Sequence, residues 1–324
     1  MTVPDVAEKW SSAINRVTIG ATSDEGGTRT STVTVGGGQC IPFIEADGEL
    51  GERPAIAVEM WDSGGDLWAP ELQERYGDVL SDPAAWAKQA VEFGADMICL
   101  KLMGTHPDYG DRGAEESVEV VKAVLGAVGV PLIVWGCDIQ EKDAVVLPKC
   151  ASAAAGENCL FGSAKEKDYR TLVAACLADK HKLLCESPLD INIAKQVNIL
   201  VTDVGYPLSD VVIFQTTGAL GYGIEYCYSL MERGRTAALG GDKLLQQPEL
   251  CYVGFEAWRA KECKAPDEEL PGMGPATERG AIWEAITASN LLQAGADILT
   301  MRHPKAIEIV KKTIDRLWGE GDQA

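Results

Sequence analysis

The sequence predicts an α/β fold, a closed (β/α)8 barrel with an N-terminal β-hairpin extension, on three observations. Eight short apolar, β-branched runs recur from residue 55 onward, as strands covered on both faces should. They lie at 55–60, 97–102, 131–136, 159–162, 182–186, 211–214, 250–255 and 297–301. Helical stripes separate them, and the stretch 211–239 shows the repeating unit whole. There Val211 to Phe214 form a strand, Gly218, Gly221 and Gly223 free the backbone to bend, and Ile224, Cys227, Tyr228 and Met231 line one helix face. Eight strands alternating with helices is the arithmetic of a closed barrel, with an open doubly wound sheet as the alternative.

Taken in order, residues 1–54 stand outside the rhythm. Arg16 to Thr22 and Arg29 to Val35 alternate polar and β-branched residues around Ser23-Asp24-Glu25-Gly26-Gly27-Thr28, which predicts a hairpin ended by Gly36 to Gly38. No Lys-Ser or Lys-Thr follows these glycines, so they read as a turn rather than a phosphate loop. The barrel then occupies 55–324 as one domain. Ser81-Asp82-Pro83 starts a helix carrying Trp86, Ala90 and Phe93, and Tyr169, Leu172, Val173 and Cys176 mark another. Asp190 caps a helix with Ile193, Val197 and Leu200 on one side, and Pro304 opens the last, striped by Ile307, Val310, Ile314 and Leu317. Gly94 and Gly295 close their helices before strands. The Pro- and Gly-rich segment 264–276 predicts an excursion on the rim.

A net charge of −20 repels phosphate backbones and anionic lipids, so neither nucleic acid nor membrane is an expected partner. The first ten residues lack the apolar core of a signal peptide, and no apolar run approaches the roughly 20 residues of a membrane span. A cytoplasmic protein is expected. No two of the ten cysteines lie closer than nine positions, which leaves no C-x-x-C signature; they read as reduced, buried thiols.

In such a barrel the working face is formed by the C-terminal strand ends and the loops behind them. That rule selects Glu59, Trp61 and Asp62; Lys101, Met103 and His106; Gly136, Cys137 and Asp138; Glu186, Ser187, Asp190 and Asn192; Gln215, Thr216 and Thr217; Glu256 and Trp258; Arg302 and His303. None of His106, His181 and His303 pairs at a zinc spacing. Lys101 suits a Schiff base, but reads better as the ion-pair partner of a carboxylate such as Glu59. Gly218, Gly221 and Gly223 spell the dinucleotide fingerprint in reverse, which argues against a nucleotide site. No catalytic or metal-ligating residue is assigned, and the mouth reads as a seat.

Several long phrases carry a resemblance: GATSDEGGTRT (20–30), GADMICLKL (94–102), AAAGENCLFG (153–162) and SPLDINIAKQVNIL (187–200). GALGYGIEYCYSLMER (218–233), VGFEAWRAKE (253–262) and TERGAIWEAITASNLLQAGADILTMRHPKA (277–306) extend it. Over residues 10–317 the chain resembles the small subunit of the corrinoid iron–sulfur protein, the delta subunit of acetyl-CoA decarbonylase/synthase. The resemblance implies a heterodimer whose large subunit carries an iron–sulfur cluster and a corrinoid-binding domain, with the corrinoid held between the chains. It further implies methyl uptake from methyltetrahydrofolate through a methyltransferase and delivery to acetyl-CoA synthase/CO dehydrogenase, in the reductive acetyl-CoA pathway. No D-x-H-x-x-G corrinoid-ligand motif or four-cysteine motif occurs here, so cobalt ligand and cluster are expected from the partner. The barrel rule applied to the matched segments selects Ser187, Asn192, Thr216, Thr217, Gly221, Tyr222 and Arg302 as corrinoid-facing. The alternative is a self-sufficient barrel methyltransferase whose Asp62, Asp138, Asp190 and Asn192 hold a methyl-pterin; a third is a scaffold whose mouth touches no cofactor.

Overall fold

The computed structural model describes residues 6–217, 220 and 223–319. Strands β1 (Arg16–Ile19) and β2 (Val33–Gly36) pair antiparallel as the expected hairpin. They are shorter than the alternation predicts, because between Ile19 and Val33 the arms turn to bond the barrel, meeting again only near the tip, where the Arg29 amide donates to the Ala21 carbonyl. The Gly20 amide donates to the Asn158 carbonyl (2.8 Å) and the Thr30 amide to the Gly129 carbonyl (2.8 Å).

The barrel opens with β3 (Ala55–Trp61), then α1 (Pro70–Tyr76) and α2 (Pro83–Glu92). The units β4 (Met97–Lys101) with α3 (Ala114–Ala127), and β5 (Leu132–Trp135) with α4 (Gln140–Ala153), follow. Next come β6 (Leu160–Ala164) with α5 (Tyr169–Asp179), β7 (Lys182–Glu186) with α6 (Ile191–Asp203), and β8 (Val211–Phe214) with α7 (Ile224–Leu239). After β9 (Glu249–Cys251) the chain forms α8 (Val253–Arg259), α9 (Lys261–Lys264) and α10 (Ala276–Ala294). Strand β10 (Ala296–Met301) and α11 (Pro304–Trp318) complete it. The eight strands β3 to β10 are parallel, and β10 pairs with β3 to close the barrel. Among the described residues no helix is long and apolar enough to cross a membrane.

The expected caps are in place. The Asp190 carboxylate accepts from the Asn192 and Ile193 amides, and Asp82 caps α2 in the same way. One element differs. The run 250–255 was expected as strand, yet β9 ends at Cys251 and Val253 already begins α8. Gly254, in the first turn of α8, has no room for a side chain: a β-carbon there would meet Arg302 Cγ at 2.8 Å and Arg302 N at 3.1 Å. The glycine lets the first turn of α8 lie close against the end of β10.

Period-two alternation sorts the strand residues. Ile56, Val58, Ile98, Leu100, Leu132 and Val134 face the helices, while Ala55, Ala57, Met97, Cys99, Ile133, Leu160, Leu184, Val212, Leu250 and Ile298 fill the interior. Val17, Ile19 and Val35 of the hairpin join that interior cluster and plug the barrel's N-terminal end. The hairpin is therefore part of the core.

Both helix-closing glycines before strands are left-handed, with φ of 95° at Gly94 and 113° at Gly295. Their surroundings differ. A β-carbon at Gly94 would touch only the flexible Lys311 side chain at 3.4 Å, whereas at Gly295 it would meet Arg235 Cδ at 2.6 Å. Arg235 is buried and fixed by its bonds to the Cys40 and Gly295 carbonyls (3.1 and 2.9 Å). Gly94→Ala is expected to cost about 1 kcal/mol from the backbone alone, and Gly295→Ala about 2–3 kcal/mol with the clash added. Urea unfolding of the two variants side by side checks the ranking; equal losses would refute it.

Candidate functional site

The alternation that packs the interior also decides what crowns it. At the C-terminal end of the barrel the inward positions are Glu59, Lys101, Trp135, Glu186, Phe214, Tyr252 and Arg302, so the mouth has a floor of charges and rings.

Glu59 is its fixed point. The carboxylate is fully buried and takes both guanidinium arms of Arg302 (2.6 and 2.8 Å), the Tyr252 hydroxyl (2.6 Å) and the Trp61 indole N–H (2.6 Å). Burial pushes the Glu59 pKa up, but Arg302, the Tyr252 hydroxyl and the charge on Lys101 outweigh it and hold it below the usual carboxylate value. Arg302 in turn lies over Trp68, with 4.2 Å from Cζ to the ring centroid, and beside Trp61 and Phe255 at 5.3 Å.

Lys101 does not pair with Glu59, the partner suggested by proximity at the mouth. Its ammonium donates to Asp138 (2.6 Å) and sits 5.1–5.5 Å from the rings of Trp135, Tyr252 and Phe255. Arg302 has already claimed Glu59. Asp138, on a left-handed backbone with φ of 69°, also receives Lys165 (3.3 Å), which reaches on to Glu186 (3.4 Å). Glu186 accepts from the Ser163 hydroxyl. Burial works against the charge on Asp138, yet Lys101 and Lys165 hold its pKa down, while burial keeps that of Glu186 up. A chain of alternating charge thus runs across the tops of β4 to β7.

Behind the floor, Glu284 of α10 is buried and accepts from the Trp258 indole (2.7 Å) and from the amides of Arg302 (2.5 Å) and His303 (3.1 Å). It fixes the turn after β10. Burial pushes its pKa from the ordinary 4.5 to about 7. Between those values the folded chain keeps a proton that the unfolded chain has released. Stability from this group is therefore complete below pH 4.5 and is lost as pH rises through 7. Urea midpoints measured from about pH 5 to about pH 8 should fall, and Glu284→Gln should flatten that part of the fall. A variant profile parallel to the parent's would contradict this.

The residues selected from sequence are placed unevenly. Ser187 and Thr217 lie buried at the tops of β7 and β8, where the Ser187 amide donates to the Phe214 carbonyl and the Thr217 hydroxyl to the Tyr252 carbonyl (3.0 Å each). Among the described residues the Ser187 hydroxyl has no hydrogen-bond partner. Thr216 is half-buried with φ of 42°, a left-handed conformation that a β-branched residue adopts only under constraint. Asn192 is exposed on the first turn of α6. Arg302 lies inside the floor, bound to Glu59. Gly221 and Tyr222 fall outside the described residues.

Of the carboxylates considered for a pterin, Asp138 is bound to two lysines and Asp190 to the α6 amides. Asp62 accepts from the Gly104 amide (2.7 Å), with Arg112 at 3.6 Å. Trp258 supports Glu284, and Glu256 pairs with Arg259. Among the described residues no group of three or more His, Cys, Asp or Glu is placed to hold a metal ion.

Sequence reasoning passed over Phe255 because it fell within an expected strand. Glu284 was hidden on a helix with no apolar-stripe anomaly. The joint role of Glu59 and Arg302 was legible in principle, since both occupy the inward parity of their strands.

A family model described as CO dehydrogenase/acetyl-CoA synthase delta subunit matches residues 16–312. The acetyl-CoA decarbonylase/synthase complex subunit delta of Archaeoglobus fulgidus is 39% identical over 319 residues, covering 97% of this chain and 70% of that protein. Subunit delta 1 of Methanosarcina thermophila is 38% identical over 323 residues, 98% of this chain and 73% of that one. Among solved structures, dihydropteroate synthase from Coxiella burnetii in complex with pteroic acid gives a TM-score of 0.57 at 14% identity, over 82% of this chain and 94% of that one. The Yersinia pestis dihydropteroate synthase with a pterine-sulfa conjugate gives 0.56 at 15% identity, over 83% and 94%. At such identities the structural likeness speaks for the barrel alone. The sequence matches go further, and by them this chain belongs to the CO dehydrogenase/acetyl-CoA synthase delta subunit family.

Proposed function

We propose that this chain is the small subunit of a heterodimeric corrinoid iron–sulfur methyl carrier, and that its barrel mouth covers a corrinoid held chiefly by the large subunit. The iron–sulfur cluster belongs to that partner. When bound, the corrinoid supplies the cobalt centre that takes up a methyl group, from methyltetrahydrofolate by way of a methyltransferase, and yields it to acetyl-CoA synthase/CO dehydrogenase.

The residues at the mouth fit such a group. The observation that carries the reading is the unpartnered, buried Ser187 hydroxyl beside the constrained Thr216, at the tops of adjacent strands. A buried hydroxyl without a partner is costly, and an amide at a macrocycle's edge satisfies it. Thr216 and the exposed Asn192 extend the same polar arc. The floor below offers rings and neutralised charges, which exclude water. With Asp138 held by two lysines and Asp190 by the α6 amides, the methyl-pterin alternative has fewer free ligands.

Co-expression of the chain with the large subunit tests the proposal. Cobalt near one equivalent per heterodimer, little on this chain alone, and lower content in the Ser187→Ala/Thr216→Val variant are the expected results. Saturable binding of methyltetrahydrofolate by the isolated chain, with no corrinoid in the heterodimer, would replace it with the alternative.

A further inference from the structure

Phe255 ends a rigid pile of rings. Its ring stacks on Tyr252 at 5.0 Å with 9° between planes, and Tyr252 stacks on Trp135 at 5.0 Å with 26°. Trp135 and Tyr252 are buried, and the Tyr252 hydroxyl is tied to Glu59, so the lower rings are held in place. Phe255, on the first turn of α8, is partly exposed. Lys101 and Arg302 flank it at 5.5 and 5.3 Å, each already neutralised by a carboxylate.

A third cation differs from these two. The Arg259 guanidinium lies 5.0 Å from the Phe255 centroid, yet its side chain is 62% exposed and its ion pair is with Glu256 at 3.3 Å, one helical turn away. Glu256 is largely buried, but with its guanidinium in solvent Arg259 is held only loosely. A guanidinium is flat and stacks on rings, so Arg259 stands where another flat group could lie.

We propose that Phe255 is the platform against which the face of the bound macrocycle rests, and that Arg259 is a displaceable cover over that platform. The inference rests on the corrinoid reading above and deepens it by naming the contact to the ring's face, where Ser187 and Thr216 serve its edge. A platform fixed from below keeps its orientation when the cover leaves, so the ligand meets a surface that is already ordered.

The test uses the heterodimer with the large subunit, comparing the parent with Phe255→Ala, Phe255→Leu and Arg259→Ala. The readouts are corrinoid per heterodimer, its absorption spectrum, and the rate at which it is lost on dilution. Phe255→Ala should lose corrinoid about tenfold faster, with an altered spectrum. Arg259→Ala should retain it at least as well as the parent. Should Phe255→Ala fail to fold, Phe255→Leu decides, because it keeps an apolar side chain without the flat face: faster loss supports the platform, and parental retention overturns it. Faster loss from Arg259→Ala overturns the cover. A parental heterodimer that carries no corrinoid overturns the underlying reading, a result distinct from equal retention by parent and variants.

Discussion

Arg302→Met is expected to destabilise the chain by about 3–5 kcal/mol, because it leaves the Glu59 carboxylate charged in a site with no other cation in hydrogen-bonding contact. The side chain of Glu59 is fully buried, and two of its four donors come from Arg302. Methionine keeps much of the apolar packing against Trp61 and Trp68, so the loss reports mainly the charge. The double variant Glu59→Gln/Arg302→Met should recover a large part of it, since glutamine needs no counter-ion and still accepts from Tyr252. Urea unfolding of parent, both single variants and the double variant gives the coupling directly. A cost under about 1 kcal/mol for the single Arg302 variant would mean that the ion pair does not organise the mouth.

Ile19→Asp should be at least as damaging, on the order of 4 kcal/mol or more, since it drives an unpaired carboxylate into the barrel's plugged end. Ile19 is fully buried among Val17, Val35 and the inward strand residues. The contrast is Arg16→Ala on the same strand. Its ion pair with Glu52 has side chains 61% and 38% exposed, so its removal should cost no more than about 1 kcal/mol. Circular dichroism and urea midpoints check both. If Ile19→Asp melted only the hairpin and left the barrel at parental stability, the hairpin would be an appendage and not part of the core.

Much of this architecture is legible in the residues because each strand must bury both faces. Runs such as AIAVEM and VVIF announce themselves, and Asp82-Pro83 and Asp190 mark helix starts by chemistry that acts within one turn. What escaped was set by distance. Glu59 and Arg302 lie 243 positions apart and meet only because β10 closes onto β3. Lys101 turned to Asp138 for the same reason, since closure gave Glu59 a better partner. The run 250–255 reads as strand because apolar content does not tell a short strand from the buried first turn of a helix, and α8 begins at Val253. That one misreading also concealed Phe255, whose place on α8 makes it part of the mouth.

We propose that the C-terminal mouth, and not the outer helices, receives the partner's cofactor. Amide hydrogen exchange measured on the chain alone and in complex with the corrinoid-loaded large subunit tests it most directly. Slower exchange at 187–193, 215–217 and 253–259 is the predicted result; slowing confined to the outward faces of α2 to α5, with the mouth unchanged, would contradict it.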